Sequence, residues 1–255
     1  YFYSTYIFLT YLSRYDGGSY LGDVTGPWQA NGDPADWANG PLVEDPNASG
    51  TLYVGTNRVY RSTNSGASWS LVSGPVVGGG GVLLGLAVAT GAPSRVYTSG
   101  SAGTVFVTSD LVNWFDRSAG IPAARSVTNV VVDPSNPDYA WISVDQSSGI
   151  RVMRTLDAGL SWSDRSGDLP AGLRGLALAV DFRPGVERAY LGTDYGVYAS
   201  LDGGRTWIEG NTGMPNVAVY ELAIDATNDL LVAATHGRGM YRSTLDLVAP
   251  AVAVT

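Results

Sequence analysis

The sequence contains no cysteine and no lysine, and its 255 residues include a single histidine, His236. Without cysteine the chain has no disulfide, no thiolate metal site and no cysteine nucleophile. One histidine cannot supply the several imidazole ligands of a typical zinc site, although carboxylates can assist it. We therefore expect no metal site and no cofactor.

Charged residues are scarce, at 15% of the chain, and all 15 basic residues are arginine in a chain with a formal net charge of −8. An acidic chain without basic runs is poorly suited to a phosphate backbone, so we expect no nucleic-acid partner. The apolar segment 1–12 is too short to span a bilayer and lacks the basic start of a signal peptide. We interpret it as a strand and expect no transmembrane segment.

Glycine, aromatic and apolar residues are abundant instead, with 33 glycines, 11% aromatic residues and 45% hydrophobic residues. This composition is typical of many short strands joined by tight turns. The length suffices for one large all-β domain or two small ones.

A repeated motif organises the chain, with a serine or threonine, an Asp or Asn two residues later, and a downstream tryptophan. The Asp or Asn positions are 46, 47 and 45 residues apart. The four copies begin at Ser62, Thr108, Thr155 and Ser200, and weaker echoes occur at 15–18 and 243–246.

Other features recur in phase with the motif and predict four short strands in each period, which we term a to d in chain order. Strand a ends at a turn such as Asp45-Pro46, strand b ends near Gly-Thr, strand c leads into the motif, and strand d starts at the tryptophan. Four antiparallel strands in 40 to 50 residues form one propeller blade. The predicted fold class is therefore an all-β β-propeller of four-stranded antiparallel blades.

The motif has a structural explanation, because its Asp or Asn side chain can accept hydrogen bonds from the N–H groups of the c–d turn and its glycine can adopt a positive φ. The tryptophan packs back over this turn and buries a large apolar surface. We predict structural roles for Asn64, Trp69, Asp110, Trp114, Asp157, Trp162, Asp202 and Trp207.

The count of blades leaves two arrangements open. Residues 1–246 are predicted to form the propeller, with a partial blade in 1–40 and four full blades plus a closing partial blade in 41–246, and 247–255 are predicted to be a linker. The two end pieces can join in one blade and make five, or the chain is part of a six- or seven-bladed propeller. The start at Tyr1, without an initiating Met, favours the second arrangement and leaves room for further domains.

The pattern S/T-x-D-x-G-x-x-W at blade spacing resembles the BNR or Asp-box repeat of sialidases, xyloglucan-hydrolysing glycosidases and sortilin-type receptors, and photosystem assembly propellers are also similar. The resemblance is strong over about 40–246. Segment 234–242 is similar to the closing blade of secreted bacterial glycosidase-like propellers. The resemblance implies an extracellular, periplasmic or cell-surface location. It does not imply activity, because many members of these families are not enzymes.

Strand order places the a–b and c–d turns at one end of a blade and the b–c and d–a loops at the other. The resemblance implies that ligands bind at the second end. The b–c candidates are Asn57, Arg58, Asp145, Gln146, Asp194, Tyr195, His236 and Arg238. The d–a candidates are Asp33, Asp36, Trp37, Arg125, Arg174, Asn216 and Tyr220.

A catalytic set is not evident among these candidates. Asp145 and Asp194 can serve glycoside hydrolysis only if their carboxyl groups lie about 5–9.5 Å apart, and solvated loop acids are commoner. His236 and Arg238 are more simply explained by hydrogen bonding and ion pairing in the turn, although Arg238 can bind a carboxylate or a sugar. Resemblance to sialidases would require an Arg-Ile-Pro motif, but the sequence at 182–184 is Phe-Arg-Pro and lies on an a–b turn.

Two functions remain open. The first is an extracellular or cell-surface β-propeller that binds or scaffolds a protein or a polysaccharide partner without catalysis. The alternative is a glycoside hydrolase, xyloglucanase-like or sialidase-like, whose acids lie in the central cleft or in a missing N-terminal part. The absence of a catalytic set favours the binding module.

Overall fold

The chain is described by a computed structural model, which covers residues 1–5, 9–36, 40–77, 81–91, 95–245 and 252–254. It divides into two compact units. The first unit comprises Tyr1–Val127 and Pro134–Pro137, and the second comprises Thr128–Asp133 and Asp138–Thr255.

The first unit holds three antiparallel sheets. The first sheet has three strands, β1 (Phe2–Thr5), β2 (Leu12–Asp16) and β3 (Ser19–Asp23). The second sheet has four strands, β4 (Leu42–Glu44), β5 (Leu52–Gly55), β6 (Val59–Ser62) and β7 (Ser70–Leu71). The third sheet has four strands, β8 (Leu83–Val88), β9 (Val96–Gly100), β10 (Val105–Thr108) and β11 (Trp114–Asp116).

The second unit holds two complete sheets and most of a third, whose residues 126–127 and 136–137 belong to the first unit. That sheet contains β12 (Ser126–Asp133), β13 (Asn136–Asp145), β14 (Val152–Thr155) and β15 (Ser163–Asp164). The next contains β16 (Ala177–Asp181), β17 (Arg188–Thr193), β18 (Gly196–Ser200) and β19 (Ile208–Glu209). The last contains β20 (Val219–Asp225), β21 (Leu230–Thr235), β22 (Met240–Thr244) and β23 (Val252–Val254).

The predicted all-β fold class of four-stranded antiparallel blades is confirmed. No α-helix occurs among the described residues, and strands a to d follow one another in each four-stranded sheet. The described residues form six sheets, so the arrangement in which the two end pieces share one blade is wrong. The last sheet obtains its fourth strand from β23, which pairs with β22 through Met240 and Val254. The predicted domain boundaries, 1–246 and 247–255, stay a prediction.

Burial along each sheet explains which residues form which strand. In the four sheets between the first and the last, strands b and c lie in the middle and are largely buried on both faces, as in β5 and β9, whose residues are all buried. The middle strands β2 and β22 of the first and last sheets are more exposed. The last strand is short and exposed, as in β7 and β19. The core residues are accordingly β-branched, leucine or aromatic. Tyr53 and Tyr97 in the first unit and Trp141 and Tyr190 in the second are at most 2% exposed.

The antiparallel hairpins give each sheet two chemically different ends. The a–b and c–d turns, which include all four motif turns, lie at one end, and the b–c and d–a loops lie at the other. The candidate ligand residues therefore lie at the end opposite the motif turns of their own sheets, as the strand order predicted.

Candidate functional site

Arg174 is the centre of a polar cluster at the b–c and d–a end of the second unit. It lies before β16, and its Nε and Nη2 donate to Oδ1 and Oδ2 of Asp145 at 2.6 and 2.5 Å. Its backbone N–H donates to Oδ1 of Asp194 at 2.9 Å. The structure thus brings together Asp145 and Asp194 through an arginine that lies between them. The hydrogen bonds from Asp145 raise the pKa of Arg174, while burial acts in the opposite direction.

Tyr220 and His236 form a second contact at this end of the unit. Their rings are in an edge-to-face arrangement with centroids 5.7 Å apart. The turn that carries His236 is fixed by a hydrogen bond from its backbone N–H to the carbonyl of Ala218, at 2.9 Å. Tyr220 lies on β20, which packs against β16, the strand that follows Arg174.

A β-bulge in β20 explains the orientation of Tyr220. Val219 pairs with Thr235, whereas Glu221 pairs with Ala234, so Tyr220 is the extra residue. Both Tyr220 and Glu221 are exposed, which strict alternation would forbid. The Glu221 side chain is solvent-exposed, yet desolvation raises the pKa of its carboxyl group.

Tyr195 and Arg238 are exposed on b–c turns of the same unit. Tyr195 follows Asp194 and is 55% exposed, and its backbone N–H donates to Oγ1 of Thr193 at 3.1 Å. Arg238 is exposed and makes no ion pair with any residue that the structure describes. We name Arg174, Tyr195, Tyr220 and His236 the recognition surface.

Arg58 lies in the first unit and belongs to a separate, buried network. Its Nε is 3.4 Å from Oδ1 of Asp33, whose side chain is only 3% exposed. The hydroxyl of Tyr60 donates to Oδ2 of Asp33, and Nδ2 of Asn31 donates to the Tyr60 hydroxyl at 2.8 Å. Burial, together with the Asp33 carboxylate, raises the pKa of Tyr60. This network satisfies buried polar groups and is a poor ligand site because its acceptors are already occupied.

The remaining d–a candidates are dispersed. Arg125 and Asn216 are exposed, Asp36 is half-buried, and Trp37 lies outside the described residues. None of them is shown in contact with the recognition surface.

The four motif turns share one hydrogen-bond pattern. A serine or threonine hydroxyl donates to the side-chain oxygen two residues later, as Ser200 does to Asp202 at 2.8 Å. That oxygen also accepts backbone N–H groups later in the turn, as Oδ1 of Asp202 does from Thr206 at 2.9 Å. The equivalent acceptors in the other turns are Asn64, Asp110 and Asp157.

These hydrogen bonds explain why the aspartates of the turns stay ionised. Hydrogen bonds from Asn113 lower the pKa of Asp110 to about 2. Partial desolvation acts to raise the pKa of Asp202, but the hydrogen bonds from Thr206 and Ser200 prevail and lower it to about 2. The pKa of Asp157 is lowered chiefly by its hydrogen bonds with Ser161. Carboxylates held in this way are poor general acids.

The tryptophans of the motif connect neighbouring sheets. The indole Nε1 of Trp69 donates to the carbonyl of Val24 at 2.7 Å, and that of Trp114 donates to the carbonyl of Val72 at 2.8 Å. Trp207 is 6% exposed and makes an equivalent bond in the second unit. Trp162 is half-buried. For Trp69, Trp114 and Trp207 the acceptor carbonyl directly follows the last strand of the preceding sheet.

The two candidate acids next to Arg174 are both engaged in hydrogen bonds. Asp145 is engaged by a guanidinium in two hydrogen bonds, and Asp194 accepts a backbone N–H. Within the described ranges there is no group of three or more metal-ligating residues and no helix long and apolar enough to cross a membrane. The bulge at Tyr220 and the exposed Glu221 beside it are features that sequence patterns do not reveal, since a bulge is set by the pairing of two strands.

No protein-family model matches the sequence, and no curated protein does either. The fold is nevertheless similar to those of solved β-propellers. A GH74 xyloglucanase from Xanthomonas campestris superposes with a TM-score of 0.73 at 18% identity over 95% of this chain and 42% of the enzyme. A GH74 enzyme from Niastella koreensis gives 0.72 at 15% identity over 94% of this chain and 41% of the enzyme.

A binding protein is also among the similar structures. The YCF48 protein bound to D1 peptide superposes with a TM-score of 0.55 at 13% identity, over 84% of this chain and 70% of that one. This chain covers 42% and 41% of the two GH74 enzymes, which is less than half of their length. At these identities the likeness establishes the β-propeller fold alone.

Proposed function

We propose that this chain is a non-catalytic binding module that recognises a glycan or a protein partner through the recognition surface. The observation that carries the proposal is the bidentate pair of Arg174 with Asp145. It fixes a half-exposed guanidinium at the end of the unit that also carries the exposed rings of Tyr195 and Tyr220, while it occupies one of the acids that a hydrolase would need.

The exposure of the surface supports this role. The Arg174 side chain is 50% exposed, and Tyr195 and Tyr220 are 55% and 44% exposed. Tyrosine and arginine dominate the energetics of protein interfaces, and aromatic rings also stack on sugars. Because Asp145 holds Arg174 in one conformation, less side-chain entropy is lost when a ligand binds.

The repeats are best explained as Asp-box repeats of the BNR type, and we include this assignment in the proposal. It is supported by the hydroxyl–carboxylate–turn pattern at Asp110, Asp157 and Asp202 and by the packing of the indoles. We further propose that the protein acts outside the cytoplasm or at the cell surface. Recovery of the unprocessed chain only in the cytoplasmic fraction of its source cells would contradict that location.

The experiment has a glycan arm and a protein arm. In the first, the purified chain is titrated calorimetrically with xyloglucan oligosaccharides, β-glucan oligosaccharides and sialosides. In the second, a photo-crosslinking phenylalanine analogue replaces Tyr195, with the same replacement of Tyr20 as a control, since Tyr20 is 58% exposed in the first unit. The proposal predicts binding in one arm, with crosslinks from position 195 and not from position 20 if the partner is a protein. Failure of both arms would refute it.

A second candidate, a glycoside hydrolase, is favoured by the raised pKa of Glu221, since a general acid must stay protonated near the working pH. The test is hydrolysis of xyloglucan, β-glucans and sialosides by the chain, followed by the Glu221→Gln, Asp145→Ala and Asp194→Ala variants. Activity lost in any of these variants would replace the binding proposal. If neither the original chain nor any variant hydrolyses these substrates, the result supports the binding proposal.

A further inference from the structure

Three arginines converge at the end of the second unit opposite to the recognition surface. Arg154 lies on β14, Arg165 directly follows β15, and Arg205 lies in the c–d turn that precedes β19. We name them the arginine triad. They come from two neighbouring sheets of the same unit.

The turn Gly203–Arg205 lies against the other two arginines. A Cβ placed on Gly203 would be 3.8 Å from Nη1 of Arg154 and 3.2 Å from Oε2 of Glu187. A Cβ placed on Gly204 would be 2.7 Å from Cβ of Arg165. The two glycines thus let the turn that carries Arg205 pack against Arg154 and Arg165. Nη1 of Arg205 itself donates to the backbone carbonyl of Asp202 at 3.0 Å.

The local environment holds these guanidinium groups with little neutralisation. The guanidinium carbon of Arg154 lies 5.8 and 5.6 Å from the ring centroids of Tyr139 and Trp141. The Nε atoms of Arg154 and Arg165 are buried and have no hydrogen-bond partner in the described part of the chain. Burial, then the charges of the two other arginines, lower the pKa of Arg165.

The acids near the triad do not compensate it. Oε2 of Glu187 is 3.5 Å from Nη1 of Arg205, but the Glu187 side chain is 56% exposed and the Arg205 side chain is 68% exposed. The carboxylate of Asp202 is occupied by its own turn, where it accepts hydrogen bonds from Ser200 and Thr206. Ion pairs between two exposed side chains are weak, so an anion can displace Glu187 from these cations.

The repeats show that the fold does not require this arrangement. Arginine recurs at the position of Arg154, as Arg61 and Arg242, and at that of Arg165, as Arg117. The turn position of Arg205 is occupied by Ala67, Val112 and Leu160 in the other motif turns. Trp207 needs only the backbone carbonyl at position 165, which any residue supplies. Among the four motif turns, only that of Arg205 therefore combines an arginine of the turn with arginines on strands c and d of the preceding sheet.

We propose that the arginine triad is a binding site for a tetrahedral oxyanion, a sulfate or phosphate group. Guanidinium groups match such oxygens through paired N–H donors, and the anion relieves the repulsion among three nearby cations. Glu187 is the internal competitor, because its carboxylate approaches the same cations in the unoccupied arrangement. The site is distinct from the recognition surface and does not depend on the function proposed for it.

The test measures binding of inorganic sulfate and inorganic phosphate by calorimetry, at an ionic strength held constant with sodium chloride. Arg154→Gln and Arg165→Gln are each expected to weaken binding at least fivefold, whereas Glu187→Gln is expected to strengthen it. Arg117→Gln is the matched control, since it removes a charge at the same repeat position in the first unit, and binding is expected to stay unchanged.

The variant Glu187→Gln keeps the test decisive if loss of an arginine impairs folding, because Glu187 is exposed and its replacement spares the core. Absence of sulfate and phosphate binding to the original chain would overturn the proposal. So would equal affinities for the original chain, Arg165→Gln and Glu187→Gln. A preference for sulfate or for phosphate would identify which group a natural ligand carries.

Discussion

The indole Nε1 of Trp207 donates a hydrogen bond to the backbone carbonyl of Arg165 at 3.0 Å. The two residues lie 42 positions apart, close to one repeat period, and the bond joins the last strand of one sheet to the first residue after the next motif turn. The same relation joins Trp114 to Val72 in the first unit. A single side-chain donor thus orients each sheet on its predecessor, while the ring supplies the apolar contact.

Two replacements of Trp207 separate the contribution of its hydrogen bond from that of its ring packing. Trp207→Phe keeps most of the buried ring but orphans the Arg165 carbonyl, and we expect a loss of about 1–2 kcal/mol in the free energy of unfolding. Trp207→Ala also creates a cavity and is expected to cost about 3–5 kcal/mol. Urea unfolding followed by far-UV circular dichroism measures both. Equal losses in the two variants would show that the hydrogen bond contributes and the ring packing does not, contrary to this account.

The close contact at Gly204 gives a second prediction. Gly204 has a φ of +83°, and a Cβ there would lie 2.6 Å from the carbonyl oxygen of Arg165. Gly172 has a φ of +96° with open space around it. Gly172→Ala is therefore expected to cost about 1–2 kcal/mol from backbone strain alone, and Gly204→Ala distinctly more because of the added clash. Thermal unfolding of the two variants compares them, and equal melting temperatures would contradict the contact.

The turn aspartates predict a loss of stability in acid. The pKa of Asp202 is about 2 in the folded chain, below its ordinary value of 3.8. Its contribution is therefore present above about pH 4 and is lost as the pH falls from about 4 through about 2. Asp202→Asn is expected to lower the melting temperature at pH 6 and to make less difference at pH 2.

Asn64 shows that the substituted turn can fold. Its Oδ1 accepts the N–H of Ser68, and its Nδ2 donates to the Ser68 hydroxyl, each at 2.9 Å. An amide thus fits the turn when the hydroxyl four residues later accepts a hydrogen bond, as that of Ser68 does, instead of donating one, as that of Thr206 does. If the difference in melting temperature between the original chain and Asp202→Asn were the same at pH 6 and pH 2, the hydrogen bonds to the carboxylate would not be the source of stability.

Sequence patterns predicted the sheets well because their signals are local. The spacing of Ser62, Thr108, Thr155 and Ser200 indicated the c–d turns, and the tryptophans indicated where the last strand of each sheet begins. The loops at the other end carry no such repeat. The pairing of Arg174 with Asp145 spans 29 residues and depends on loop conformation. The bulge at Tyr220 depends on strand register. The residue types therefore identified these residues as candidates but did not show which of them are in contact.

Arg174 should affect binding more than stability. Its ion pair with Asp145 is half exposed on the arginine side, and exposed pairs contribute about 0–1 kcal/mol. Arg174→Gln is therefore expected to change the free energy of unfolding by less than about 1 kcal/mol. Affinity for the partner identified by titration or crosslinking should fall by about tenfold, because the side chain that Asp145 orients is lost. A large loss of stability with unchanged affinity would assign Arg174 a structural role.

The central claim is that the exposed rings of the recognition surface contact the partner. The most direct measurement is the affinity of the Tyr195→Ala, Tyr220→Ala double variant for that partner, beside Tyr20→Ala as a control of similar exposure. The account predicts at least a tenfold loss for the double variant, unchanged affinity for Tyr20→Ala, and melting temperatures close to that of the original chain for both. Unchanged affinity in the folded double variant would contradict it.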